Sequence, residues 1–560
     1  MKLRKLAALS LTAVMMSAAL AGCGNNNSAS NSASNSTPAS VSDTSKTSTT
    51  TSGDNKNTDA TPSETVITVS VQTGTGVEEG WKAVADAYMA KNPNVKVVID
   101  LKASEGYDQW VQNVFATTDT TSVDVVNINL AGDAKTGKSI NYNDYIDNDS
   151  PYSAGTWREQ FEYGKQVINM ADNSFDALSL DSVQVLWLYN QDIFNECGVK
   201  APTTWNELID ACEKIAAKGY QPIAMPGDYD SFYSGTMGWL AQIYADQTTR
   251  SMVDVFKAQP GDYCYDPDID GHFKYDPTDC FNDDSDKVTQ NPVRAMKSIK
   301  DGIYRGDSVG MKTVWANFAK VFPKYAGGDA MFGTKGEGAK ALFYQGKAAM
   351  MVQGGWGITQ FMNDMKALAE GKPVKDGYGE EITDMKSFTL GTFNMPSMEG
   401  DGIEAKARTI EVATGFIGCV SKDQAHNDQV VDFIMFYSSV EGMSAYVQAS
   451  IAAGAVPSGP SLVYGVQYAD EINAAFSSLK FIGNAQKGFN NTLARGIGES
   501  AETFRNFYDY TYKYLTGAIS LDDWAKAHQK NIDDNFAKAL KEKGISENDM
   551  KNPANAPTGE

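Results

Sequence analysis

The stretch from Thr65 to Leu101 limits the fold more than any other. TVITVSV (Thr65 to Val71) is β-branched and apolar, Gly74-Thr75-Gly76 breaks it, and Trp81, Val84, Ala85 and Tyr88 then recur on one helical face. Asn92-Pro93-Asn94 stops that helix, and Val95, Val97, Ile99 and Leu101 alternate as a second strand. Strand, helix and strand make a βαβ unit. A further helical segment with Tyr107, Trp110 and Val114 leads to VDVVNINL (Val123 to Leu130), a third strand. The chain therefore opens with a mostly parallel sheet, and the fold class is α/β.

At 560 residues the chain exceeds the roughly 250 to 300 residues that one core supports, so two large lobes are expected. Asp and Glu number 70 against 48 Lys and Arg, a formal net charge of -22. That balance argues against nucleic acid, whose phosphates need clustered cations. The N-terminus carries an address instead. Lys2, Arg4 and Lys5 precede an apolar run from Leu6 to Ala19 that is too short to span a bilayer, and Leu20-Ala21-Gly22-Cys23 resembles the bacterial lipobox. Residues 1–22 read as a lipoprotein signal peptide and Cys23 as the lipidated N-terminus of an exported, membrane-anchored protein. From Gly24 to about Glu64 the chain is Ser, Thr, Asn, Asp and Ala with nothing to bury, so residues 23–64 form a polar tether.

Export sets the context for the remaining cysteines. Cys197, Cys212 and Cys419 sit among apolar residues and read as small buried hydrophobes, whereas Cys264 and Cys280 share a polar loop where a disulfide is an option. No cysteine pair has zinc-ligand spacing, and His272, His426 and His528 are far apart in sequence. No cofactor is expected.

Further along, Asn141 to Asn173 reads as helical around Trp157 and Phe161, and SLDSVQVLWLYN (Ser179 to Asn190) as a passage into new territory. Thr204 and Glu207 form a capping box for a helix that buries Trp205, Leu208, Ile209, Cys212 and Ile215. An aromatic-rich segment (Gly227 to Ala245) and an acidic insertion (Asp262 to Asp286) follow. Thr389 to Pro396 reads as a strand, Gln429 to Gln448 as one long helix, and Ser500 to Leu515 and Leu521 to Leu540 as closing helices.

Three segments then carry a resemblance: YNQDIFNECGVKAPTTWNELIDA from Tyr189, FYQGKAAMMVQGGWGI from Phe343 to Ile358, and FIMFYSSVEGMSAYVQ with AAGAVPS after it. In this order and spacing they are similar to the family 1, carbohydrate-type extracellular solute-binding lipoproteins of bacterial ABC transporters, over about Val66 to Phe536. The long tether and the enlarged region from Asp262 to Lys335 depart from that pattern. The resemblance implies a two-lobed periplasmic-binding-protein-like fold of type II, with the ligand in a cleft between lobes joined by several crossing segments. It places lobe 1 at 65–180 plus about 405–452 and lobe 2 at 181–404 plus about 453–545, with 546–560 as a flexible tail. It also implies a monomer with no enzymatic activity that delivers a sugar to the permease transmembrane subunits.

Trp356 matches the family aromatic of the glycine-glycine-Trp motif, which would stack on a pyranose face, with Gly354 and Gly355 leaving room around it. Residue frequencies alone would also let it fill core beside a turn. Asp181 lies at the first passage between lobes and either offers a carboxylate to hydroxyls or is a solvated hinge residue. Asn127 and Asn129 end the third strand with amides that both donate and accept, and Glu78 stands in the first βα loop. Tyr233 and Trp239 offer a second stacking wall or belong to the core. Asp266-Pro-Asp268-Ile-Asp270-Gly271 begins like a calcium loop, but Pro277 stands where a bidentate Glu belongs, so it reads as a solvated acidic loop with Ca²⁺ on Asp266, Asp268 and Asp270 as the alternative.

Other chemistries fit less well. Gly346-Lys347-Ala348 lacks the flanking residues of a phosphate loop, and Gly306 to Gly310 matches a nucleophile elbow by letter but follows a helical segment. The rivals that stay open are a lipid-anchored glycoside hydrolase with two carboxylates across the cleft, and a binding protein of the same fold for a non-sugar solute.

Overall fold

The computed structural model describes residues 65–117, 121–128, 138–169, 174–477, 479–498 and 500–560. The opening unit forms as its periodicity demands. β1 (Thr65–Gln72) and β2 (Val95–Lys102) pair parallel with Thr65 opposite Val95, and the intervening helix, Val77–Lys91, buries Gly80, Trp81, Val84, Ala85 and Tyr88. β3 (Val125–Asn127) lies parallel on the other side of β1. A second sheet is built from β4 (Asp181–Asn190), β5 (Gln221–Ala224), β6 (Ala348–Gly354) and β7 (Leu390–Phe393) in the order β5-β6-β4-β7. β8 (Glu411–Thr414) pairs with the first residues of β4, and β9 (Ile417–Cys419) returns to the first sheet beside β3.

Each sheet is covered on both faces, as a sheet with parallel strands must be when helices carry its crossovers. In the first, Ile67, Val69 and Val71 meet Trp81, Phe433 and Tyr437, while Val126 and Ile128 meet Phe115 on the far side. In the second, Trp187 joins Trp205, Trp315 and Phe318, while Leu186 and Leu188 meet Phe343 and Phe361. A large apolar side chain taken fully out of water contributes about 1.5 to 3 kcal/mol. Separate cores on separate sheets make two lobes.

Among the described residues three segments join them. β4 is the first and the run from β8 to β9 the second. The third is Pro457 to Val463, where Leu462 N donates to Leu180 O (2.8 Å) and Ser182 Oγ donates to Pro460 O (2.8 Å). Gly459 is required there, because a Cβ would lie 2.5 Å from Ser182 O.

Several expectations are corrected. The described residues 141–169 form no long helix; short 3₁₀ turns at Tyr142–Asp144, Trp157–Gln160 and Tyr163–Lys165 deliver Trp157 and Phe161 to the core from irregular chain. The long helix from Gln429 is two, Gln424–Tyr437 and Val440–Ala452. Its apolar periodicity hides a double cap, in which Ser438 Oγ accepts from the Trp157 indole (2.8 Å) and Ser439 Oγ accepts from Gly442 N (3.1 Å). Residues 546–560 are not a loose tail: Met550 is buried in a lobe 2 cluster, Asp549 accepts from Ser546 and Thr558, and Ala554 O accepts from Tyr263 N (2.7 Å). Among the described residues Cys264 and Cys280 form no disulfide with each other.

Candidate functional site

The buried run of β6 ends at Gly354, and the helix Trp356–Ala369 starts two residues later. The Trp356 indole lies on Gly354, where any Cβ would collide with its six-membered ring. Gly355 N donates to Gln184 O of β4 (2.8 Å), and Thr359 Oγ1 donates to Pro457 O (3.0 Å). The helix start is thus fixed to two of the three crossing segments. Trp356 remains half-buried and meets the half-buried Trp239, on the helix Thr236–Asp246, edge to face with centroids 6.1 Å apart and planes at 78°. Two residues far apart in sequence thereby form two walls of one corner.

Tyr233 is not a wall. It is 7% exposed, with Phe504 stacked on its ring (3.5 Å, 25°) and the Arg495 guanidinium 4.1 Å from its centroid. An aromatic whose neighbours cover it is core.

Asp181 opens β4 within the hinge, half-buried, with Thr414 of β8 and Ser461 of the third crossing as strand neighbours. Among the described residues no hydrogen-bond donor reaches its carboxylate, and burial pushes its pKa up to about 6. Its charge is felt by the hydroxyls of Tyr437, Tyr446 and Tyr468, each raised first by its own burial. These tyrosines gather from chain positions more than 250 residues away, which no local pattern could reveal.

On lobe 1, Asn127 sits at the carboxyl end of β3, where its Oδ1 accepts from Gln72 N (3.1 Å) and its own N donates to the Tyr107 hydroxyl (3.0 Å). Asn129 lies outside the described residues, as does Cys23. Glu78 stands in the first turn of its helix and pairs with Lys82 one turn on. The loop before it packs on the end of the lobe 1 helix Val440–Ala452 and the turn that follows: Cβ atoms built at Gly76 and Gly454 would lie 3.0 Å from Ala455 Cβ and 3.6 Å from Thr75 Cγ2. Glu78 of lobe 1 follows β1 and Trp356 of lobe 2 follows β6, each just past the carboxyl end of its strand. This is the carboxyl edge of the parallel strands, where open α/β sheets take their ligands.

The acidic loop turns its carboxylates inward. Asp270 accepts from Asp266 N (2.9 Å) and Thr289 N (2.6 Å), and Asp266 accepts from Asp268 N (2.9 Å). Among the described residues no group of three acidic, histidine or cysteine side chains is placed to hold a metal, so the calcium alternative finds no support. No described helix is long and apolar enough to cross a membrane.

Two lobes on separate sheets, three crossings and a corner of aromatics at the hinge define a two-lobed solute-binding protein. The chain belongs to the family of bacterial extracellular solute-binding proteins, whose model matches residues 74–444. Its fold is also that of solved relatives. The cyclic alpha-maltosyl-1,6-maltose binding protein of Arthrobacter globiformis superposes with a TM-score of 0.54 at 14% identity, covering 84% of this chain and 99% of that one. For the ligand-free RafE of Streptococcus pneumoniae the values are 0.52, 17%, 84% and 98%. For a family 1 extracellular solute-binding protein of Bifidobacterium longum subsp. infantis they are 0.51, 15%, 84% and 98%.

Proposed function

We propose that this protein captures a carbohydrate, an oligosaccharide, between its lobes and hands it to the transmembrane subunits of an ABC permease, acting as a receptor and not an enzyme. The observation that carries this reading is the Trp356–Trp239 corner fixed to the hinge. A pyranose has one apolar face and a rim of hydroxyls; an indole takes the face by area burial, and hydroxyls need acceptors and donors around it. Asp181, which no donor among the described residues reaches, supplies an acceptor. Asn127, Asn129 and Glu78 are the proposed polar partners on lobe 1. That one fold relative is named for binding a maltosyl-maltose ring supports the same class. Closure about the three crossings would bury the sugar, and the permease would read the closed state. The protein is proposed to work as a monomer held at the outer face of the membrane by lipid on Cys23.

Titration calorimetry against neutral oligosaccharides tests the reading, with heat expected for at least one and the sugar recovered uncleaved. Trp356→Ala should weaken that binding about 30-fold, some 2 kcal/mol, while the melting temperature stays within a few degrees. Heat from no sugar, or unchanged affinity in the variant, would sink it.

A further inference from the structure

The acidic insertion belongs to lobe 2 by its anchors. Arg294 holds Asp262 with two hydrogen bonds (2.6 Å each), and the buried Arg408 reaches both Asp283 (2.6 Å) and Asp246 of the lobe 2 core (2.8 Å). Its far end nevertheless touches lobe 1. Ser285 Oγ donates to Gln166 O (3.1 Å) and Ser285 N to Gly164 O (3.4 Å), while Lys487, 3.9 Å from Asp284, donates from Nζ to the same Gly164 O (2.6 Å). Gly164 admits this approach because it has no side chain; a Cβ there would lie 2.8 Å from Asp286 Oδ1. The turn that receives these bonds is itself tied to the hinge, since the Gln166 amide both accepts from Ser179 N and donates to Ser179 O (2.9 Å each), two residues before β4.

The three covalent crossings set an axis about which the lobes turn, and the contact at Gly164 lies beside that axis without being part of it. We propose that the insertion 262–286, together with Lys487, is a hinge latch: a non-covalent fourth link whose release allows the lobes to leave the angle seen here. The bonds are suited to this. They go to main-chain carbonyls of a short turn, are few, and fail once the partners separate by about 1 Å. One donor is a charged ammonium, so the link is strong enough to bias the angle and weak enough for a ligand to overcome. The inference concerns the motion and holds whichever solute fills the cleft.

Fluorophores carried by non-canonical residues at exposed Lys96 of lobe 1 and Lys218 of lobe 2 report the interlobe distance in the full chain without ligand. Lys487→Met with Ser285→Ala should shift the population away from the wild-type distance about tenfold, the weight of one charge-assisted hydrogen bond. If the loss of buried Lys487 impairs folding, Gly164→Asp supplies the same test, because its carboxylate would face Asp286 and force the link open. The repulsive part of that effect should lessen as salt is raised from about 0.01 to 1 M, where the Debye length falls from about 30 to 3 Å, while the steric part stays. A folded variant with an unchanged distance distribution overturns the latch.

Discussion

Asp181 combines a carboxylate that burial holds at a pKa of about 6 with the absence of a described hydrogen-bond donor. In the proposed complex, sugar hydroxyls donate to the ionised form, so binding draws the group into its charged state and releases a proton. Affinity then rises as pH climbs through 6 and levels off above it. Calorimetry at pH 5 should give a dissociation constant about tenfold weaker than at pH 7, and Asp181→Asn should flatten the profile. A wild-type profile that is flat over this range would return Asp181 to a structural hinge role. Trp356 stood out by its motif and Trp239 by an aromatic-rich segment, but that the two rings meet edge to face was not readable from either. For Tyr233 the sequence left wall and core both open, because its covers, Phe504 and Arg495, lie more than 250 residues away.

At the scale of elements, the glycines between crossing segments decide how closely the lobes are coupled. Gly459→Ala puts a methyl carbon 2.5 Å from Ser182 O, a backbone atom with no flexible end to yield. The expected cost is about 1 to 3 kcal/mol by overpacking, read as a fall in chemical-denaturation midpoint with an unchanged slope. An unaltered midpoint would mean that the third crossing shifts freely. Elements defined by local rules were readable: the face Trp81, Val84, Ala85 and Tyr88, and the capping box in which Glu207 N donates to Thr204 Oγ1 (3.2 Å). The break at Ser438 and Ser439 was not. Apolar spacing runs on across it, and the partner that stabilises it is Trp157, 281 residues upstream. Irregular chain from 141 to 169 escaped for the converse reason, since its aromatics are spaced as a helix would space them yet are positioned by tertiary contacts.

For the whole molecule, the two-lobe plan followed from length and the opening βαβ unit, whereas the register of the crossings depended on pairings such as Asp181 with Thr414 that no local signal encodes. The C-terminal segment shows the same limit, being polar in composition yet seated by Met550 in a lobe 2 cluster. Removal of residues 546–560 should therefore destabilise lobe 2 by about 2 to 5 kcal/mol, the range for losing one large buried side chain, and differential calorimetry should show one lobe melting earlier. An unchanged thermogram would return the segment to a flexible tail. The threefold passage between lobes also has a bearing on descent. Lobe 1 draws its sheet from β1 to β3 and from β9, on either side of the strands of the second sheet, and lobe 2 takes further residues such as Phe507, Trp524 and Met550 from beyond β9, so no contiguous stretch of coding sequence specifies either lobe. A single recombination crossover therefore cannot exchange one lobe for another.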